Sequence, residues 1–404
     1  MPDKHHIAFL CPRYLWAGGG SVIYTRHLAG EMAQLGYQVT IVADETDDFY
    51  EEDVQTISRD TSAEERALKK LALENKRGGY RLAKWLYRDG TQQLLRAGPY
   101  CPVLADPSFY SRFDVVSLMN SGSTAWTPLV HSALKKGIGA TNAYAFPFFH
   151  PHEGVAAYQS LARYHRLFNG VCTLTDFEKK FMEMREWNRR IFTMGAGSFA
   201  SDQPVDEMAF RVKNGVPVKV PLVLFMGRKI YNKGITHVIE AMDAVWDAYP
   251  DAWLALLGFS HNPDTWVEGY LDASRHSNKR SQVVNLNDVD DQTHEEAIAA
   301  SSLLAAPSIS DSFGMVFLDA WRHRKPVIAC RNTCCETYIS HERDGLLVGF
   351  GEVQEIANGI KRLIGDIGLS SACGVAGYEK WRTQFQWPKV AELFHQLISG
   401  DRLG

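Results

Sequence analysis

One local pattern occurs twice along this chain, and it limits the fold more than any other feature. "HIAFLCP", "VIYTRHLAGEMAQLG" and "YQVTIVAD" read as a buried strand, a helix with apolar residues at helical spacing, and a second buried strand. From Val220, "VPLVLFMGR", "GITHVIEAMDAVWDAYP" and "AWLALLGFS" repeat the order. A strand that is apolar on both faces needs cover on both faces, and helical crossovers between parallel strands supply it. The chain is therefore of α/β class. Two βαβ sets of similar size predict two Rossmann-like, doubly wound domains facing an interdomain cleft, with ligand at the carboxyl ends of the strands. Between the sets, 200–220 ("ASDQPVDEMAFRVKNGVPVKV") is polar, poorly periodic and holds two prolines. It reads as the linker, so that 1–200 form one domain and 201–385 the other.

Composition narrows the function classes. A 404-residue chain can bury two cores, and 45% hydrophobic with 22% charged residues suits a globular enzyme. A net charge of −4 gives no basic field for nucleic acid. No apolar run reaches the ~20 residues of a membrane helix, and "MPDKHHIAFLCPRYLW" lacks the apolar core of a signal peptide. The seven cysteines show no framework, which points to reduced thiols in a cytoplasm; Cys334 and Cys335 read as packing residues.

Four stations follow predicted strands. The first is Gly18-Gly19-Gly20 with Ser21, where glycine lets the backbone approach a phosphate or sugar, or simply turns from strand to helix. It is not the Gly-x-Gly-x-x-Gly fingerprint, because Val22 and Ile23 follow. The second is "MGRKIYNKG", whose Arg228 and Lys233 leave a strand end and suit a diphosphate. The third is His150 in "YAFPFFHPHEG", placed to bond a sugar hydroxyl or to serve the structure, with His152 as a competing candidate. The fourth is "SISDSFGMVFLDAW". A turn at Phe313-Gly314-Met315-Val316 would aim N–H groups at an anion. Asp319, further along the helix, can accept two hydrogen bonds from a ribose diol. Asp311 is also explained as an acid at a helix N-terminus. "DVD" at 288–290 resembles a metal motif, yet its place before a helix favours capping, and no metal site is expected.

Together these stations resemble the retaining glycosyltransferases of the GT-B fold, and most closely glycosyltransferase family 4. The similarity covers nearly the whole chain and is strongest over Val220–Val348. "PSISDSFGMVFLDAWRHRKPVIAC" is similar to the family's pair of glutamates around a Phe-Gly turn. "LFMGRKIYNKG" is similar to its phosphate loop, and "CETYISHERDGLLV" to its acidic residue, turn and Gly-Leu-Leu-Val. "QWPKVAELF" is similar to the terminal Trp and the helix that crosses back to the first domain, which assigns 386–404 to that domain.

The resemblance implies a role for each residue. Arg228 and Lys233 neutralise the leaving diphosphate. Asp319 holds the ribose, and Asp311 bonds hydroxyls of the transferred sugar with help from N–H groups of Phe313, Gly314, Met315 and Val316. Gly19, Gly20 and Ser21 approach the donor, and His150 lies near the sugar. The implied chemistry retains the anomeric configuration without a protein nucleophile, a cofactor or an obligatory metal. The donor is a nucleoside-diphosphate sugar, UDP-sugar by family frequency and GDP-sugar as the other candidate. The acceptor is a hydroxyl on a glycan, a lipid-linked glycan or a small molecule. Two departures stand out. Both glutamates are aspartates, shorter in reach by about 1.5 Å. "RHRK" replaces the family's small residues and Gly before Pro326, which raises the question of how the helix ends.

The segment 66–96 is rich in Lys and Arg and carries Trp85 and Tyr87. It reads as a solvated helical pair, or as a peripheral contact with an anionic membrane face or a phosphorylated acceptor. Other functions that fit the same scaffold are a nucleotide-sugar epimerase, phosphorylase or hydrolase, and a non-catalytic sugar-nucleotide binder.

Overall fold

The computed structural model describes residues 5–14, 19–43, 45–46, 54–58, 102–122, 126–149, 162–198, 205–259, 265–272, 277–287 and 289–400. The chain divides into two compact units. One comprises Met1–Ala196 and Trp387–Gly404, the other Gly197–Gln386.

In the first unit the strands are β1 (His6–Leu10), β2 (Arg13–Tyr14), β3 (Gln38–Ala43), β4 (Glu45–Thr46), β5 (Val54–Ser58), β6 (Val115–Met119), β7 (Asn142–Phe146), β8 (Gly170–Thr173) and β9 (Ile191–Thr193). Among the described residues, seven form a parallel sheet in the order β5-β3-β1-β6-β7-β8-β9, and β2 pairs with β4. Ile7 lies opposite Val39 on one side and Val115 on the other. The strand order therefore reverses between β1 and β6. Helices α1 (Gly20–Gln34), α2 (Trp126–Lys136) and α3 (Asp176–Glu183) supply crossover cover. The C-terminal helix (Trp387–Ser399) also packs in this unit. Its Trp387 ring lies 5.2 Å from Tyr24, and its Phe394 ring 5.6 Å from Phe146.

The second unit holds β10 (Leu222–Met226), β11 (Trp253–Leu257), β12 (Val283–Leu286), β13 (Leu303–Ala305), β14 (Val327–Cys330) and β15 (Leu346–Val348). Its parallel sheet runs β12-β11-β10-β13-β14-β15 among the described residues. The helices are α4 (Glu207–Asn214), α5 (Ile235–Ala248), α6 (Thr265–Asp272), α7 (Asp291–Ala300), α8 (Val316–Arg322), α9 (Val353–Gly365) and α10 (Ile367–Gln384). Alternate residues Val223 and Phe225 of β10, with Leu254 and Leu256 of β11, enter a core with Ile239 of α5 and Ile360 of α9. Every residue of β10 is buried, as a strand covered on both faces requires.

The linker expected over 200–220 is corrected. Residues 207–214 form α4, a helix of the second unit. Asp206 caps it by accepting from the N–H of Met208 at 2.8 Å, and Gly215 ends it in the left-handed region at φ 69°. Arg211, 7% exposed, donates to the carbonyls of Pro217 (2.7 Å) and Ala300 (2.7 Å) and ties α4 to the end of α7. With only eight residues and Phe210 as its main apolar anchor, the helix is too short to display a period. Its two flanking prolines then look like loop signals.

"RHRK" ends α8 without a glycine. Arg324 takes the left-handed position at φ 54°, and the N–H of Lys325 bonds the Ala320 carbonyl at 2.9 Å. The Arg324 guanidinium lies over the Tyr378 ring, 3.9 Å from its centre. The glycines sit instead on the partner helix α10. A Cβ at Gly374 would stand 2.0 Å from the Arg324 carbonyl oxygen, and one at Gly377 would stand 2.1 Å from the Trp321 ring. We expect Gly377→Ala to lower unfolding free energy by about 1–3 kcal/mol. Gly368→Ala, in the exposed first turn of the same helix, should be neutral or slightly stabilising. Urea unfolding of the two variants distinguishes this close packing from a general intolerance of α10.

Candidate functional site

Both acids and both cations singled out in the second half of the chain leave adjacent strands. Arg228 and Lys233 follow β10, and Asp311 and Asp319 follow β13. β10 pairs with β13, placing Leu224 opposite Leu304. The strand order of this sheet reverses at that pair, where open α/β sheets leave a crevice beyond the carboxyl ends of the strands.

Lys233 ends a short 3-10 turn (Tyr231–Lys233) before α5. Its ammonium is paired with the Asp311 carboxylate and donates to the Ser310 carbonyl at 2.8 Å. Both side chains are largely shielded, with 11% and 19% of their surfaces exposed. The two residues predicted to act on a ligand thus also hold each other across the two loops. Arg228 is exposed. Its neighbour Lys229 is buried, 1% exposed, and donates to Asn285 Oδ1 (2.6 Å), Asn287 Oδ1 (2.6 Å) and the Leu286 carbonyl (3.0 Å). Sequence reasoning missed this anchor, because "GRK" does not say which cation turns inward.

The turn between the acids is clamped from below. The Phe313 ring stacks on Tyr338 at 4.6 Å and 6°, and the Tyr338 hydroxyl donates to the Phe313 carbonyl. Gly314 has φ 88°, and a Cβ there would stand 2.9 Å from the Phe317 ring. Helix bonding begins with the N–H groups of Phe317 and Leu318, which reach the Gly314 and Met315 carbonyls. The N–H groups of Gly314, Met315 and Val316 precede those bonds, at the carboxyl edge of the sheet. Cys334 and Cys335 pack beneath, their Sγ atoms 3.6 and 3.8 Å from the Phe313 carbonyl oxygen. Burial pushes the Cys334 thiol well up, which suits a packing residue and not a nucleophile.

Asp319, expected further along the helix, lies instead in the first turn of α8, where the helix dipole favours an acid, while Asp311 precedes the helix; that part of the expectation is corrected. Its Oδ1 accepts from Ser198 Oγ at 2.6 Å and stands 4.0 Å from Arg322 Nη2. Arg322 in turn grips Glu295 of α7 with two bonds, Nη1 to Oε2 at 2.6 Å and Nη2 to Oε1 at 2.5 Å. His323 Nε2 lies 2.9 Å from Glu295 Oε2, and His294 Nδ1 lies 3.6 Å from Oε1. Burial alone would raise the Glu295 acid. Bonds from His294, His323 and Arg322 outweigh it and hold the carboxyl far below the usual range. Desolvation would lower His294, yet its bond to Glu295 and the charge of Asp319 raise it. Arg322 and His323 belong to the "RHRK" departure, so their purpose is now visible: they fasten α8 to α7.

In the first unit Gly19 is the N-cap of α1, with Gly20 and Ser21 opening the helix. Both glycines are exposed. Gly19 has φ −70°, and a Cβ there would meet no described atom within 4 Å. Neither backbone nor described neighbours demand glycine at this position. His150, His152 and the segment 66–96 lie outside the described residues. Asp290, from "DVD", caps α7 by accepting from the Thr293 N–H at 2.7 Å. No group of three His, Cys, Asp or Glu residues among the described residues is arranged to hold a metal ion, and no described helix is long and apolar enough to cross a membrane.

Comparison with known proteins bears on the fold. Residues 206–380 match the family model Glycosyl transferases group 1, a stretch that contains the whole Val220–Val348 resemblance. The lipopolysaccharide core biosynthesis glycosyltransferase LpsE of Rhizobium meliloti (strain 1021) is 25% identical over 189 residues, 47% of this chain and 53% of that protein. The D-inositol 3-phosphate glycosyltransferase of Corynebacterium glutamicum (strain R) is 28% identical over 198 residues, 47% and 46% of the two chains. The chain thus spans about half the length of the curated relatives it matches. Among solved structures, sucrose-phosphate synthase from Thermosynechococcus elongatus superposes with a TM-score of 0.72 at 17% identity, over 98% of this chain and 100% of that one. Anabaena HepE in complex with UDP and glucose gives 0.69 at 16%, over 98% and 100%. The fold is that of the GT-B glycosyltransferases, two Rossmann-like domains built on parallel sheets.

Removing the hub carboxylate tests the site's scaffold. Glu295→Ala leaves Arg322 shielded without its anion and should cost about 3 kcal/mol in urea unfolding. The pH dependence has a definite sign. His294 titrates above its ordinary 6.5 in the fold, so its contribution is complete below about 6.5 and fades as pH rises through the raised value. The depressed Glu295 contributes fully above about 4.5 and fades only on acidification. Stability should therefore fall as pH climbs past 6.5, and Glu295→Gln should flatten that slope.

Proposed function

We propose that this protein is a retaining glycosyltransferase of family 4 type. It moves a sugar from a nucleoside-diphosphate sugar to a hydroxyl acceptor without an obligatory metal. The observation that carries the reading is the convergence of Arg228, Lys233, Asp311 and Asp319 on two adjacent strand exits where the sheet reverses its order. In this reading Arg228 and Lys233 take the diphosphate. Asp311 keeps the Lys233 ammonium in place and offers its carboxylate to hydroxyls of the transferred sugar. The N–H groups of Gly314, Met315 and Val316 face the same ligand, and Asp319 accepts from the ribose. The exposed Gly19 and Gly20 leave room for close approach at the start of α1.

The chemistry needs no protein nucleophile. The bond from the anomeric carbon to the phosphate oxygen breaks, and the acceptor oxygen bonds that carbon on the same face. The acceptor proton passes to the leaving phosphate. The chain's own contribution is charge stabilisation and positioning. His150 is the proposed neighbour of the sugar. A UDP-sugar is favoured, since HepE is described in complexes with UDP and with UDP-glucose. A GDP-sugar is the other candidate, as one curated relative is named GDP-mannose-dependent. The relatives' names point to lipopolysaccharide core, phosphatidylinositol mannoside and inositol phosphate acceptors. A peripheral contact of 66–96 with an anionic membrane face, on the cytoplasmic side, fits a lipid-linked acceptor.

The test is a screen of purified protein against nucleoside diphosphates and their sugar conjugates, with magnesium and with EDTA. We expect one nucleotide to bind and its sugar conjugate to be slowly hydrolysed in both buffers. Arg228→Ala or Lys233→Ala should lower turnover by about 100-fold, as expected for removal of one charge-stabilising group. Absence of nucleotide binding in every mixture would sink the reading.

A further inference from the structure

Ser198 was not among the residues predicted from sequence, yet its hydroxyl bonds a site acid directly. It lies just inside the second unit and is 6% exposed. Its main chain is fixed at both ends: the N–H bonds the Phe385 carbonyl at 3.2 Å, and the carbonyl accepts from Trp381 Nε1 at 3.3 Å. The hydroxyl is therefore presented from a rigid frame, and it donates to Asp319 Oδ1 at 2.6 Å. Arg322 Nη2 stands 4.0 Å from the same oxygen, itself held by Glu295. Among the described residues, Oδ2 accepts no hydrogen bond, and 19% of the side chain is exposed.

We propose that Ser198, backed by the Arg322–Glu295 pair, is a positioning residue that occupies Asp319 Oδ1 and presents Oδ2 to a single ribose hydroxyl of the donor. This rests on the proposed function and deepens it. A glutamate reaches a diol on a flexible stem. The shorter aspartate has two torsions, and the Ser198 bond fixes them. The consequence is a site that reads one hydroxyl of the ribose strongly and the other weakly.

The experiment is calorimetric titration of the full chain with uridine and guanosine diphosphates and with their 2′-deoxy and 3′-deoxy analogues. Wild type should lose about tenfold in affinity with one deoxy analogue and much less with the other, the loss of one charge-assisted hydrogen bond. Ser198→Ala should bind the parent nucleotide more weakly and bring that ratio close to one. Ser198→Thr, which keeps the hydroxyl, should restore it. A purely structural serine would lower affinity for all analogues alike and leave the ratio unchanged. Equal discrimination in wild type and Ser198→Ala overturns the positioning role, and so does a wild type that binds nucleotide but treats all analogues alike. In both cases nucleotide binding itself survives. A wild type that binds no nucleoside diphosphate defeats the parent reading instead, and this role with it.

Discussion

Parallel pairing of β10 with β13 is the constraint on which the second unit's cluster of charged residues depends. Parallel strands leave a sheet from the same edge, so the loops after both must begin side by side. One loop brings Arg228 and Lys233, the other Asp311 and the turn into α8. The chain between them runs through β11, β12 and α7 before returning, and the sheet order reverses at that junction. No local preference within either loop is needed to bring the charges together.

What the loops then do with those charges is a matter of pairing. Lys233 and Asp311 neutralise each other, and Asp319 is tied to Ser198. Arg322 and His323 gather on Glu295. Shielded charges without partners would cost more than the fold can bear, so each finds one. The exposed Arg228 does not need one. This pairing holds the acids in place and makes their geometry depend on their partners, Lys233 for Asp311 and Ser198 for Asp319.

The departures from the family pattern illustrate the same logic. Asp319 is short, and Ser198 donates a hydrogen bond to its carboxylate. Arg324 is bulky where small residues are usual, and Gly374 on α10 makes room for it, as Gly377 does for Trp321. Each change in one element is answered in another that is distant in sequence.

The amino-acid order by itself determined the class of fold. Apolar strands alternating with amphipathic helices leave few arrangements other than parallel sheets with crossovers, and the strand exits follow from the strands. The places of Arg228 and Lys233 after β10, and of Asp311 and Asp319 after β13, were legible because each stretch follows an unmistakable strand. Other features were not. α4 was hidden by its length, and α10 carries glycines at 368, 374 and 377 that read locally as helix breakers. Ser198 and Lys229 look like ordinary surface residues. Only the tertiary structure decided these, for a physical reason. Helix periodicity is a property of neighbours in sequence, whereas a glycine chosen for Trp321 or a serine chosen for Asp319 answers a partner brought close by folding.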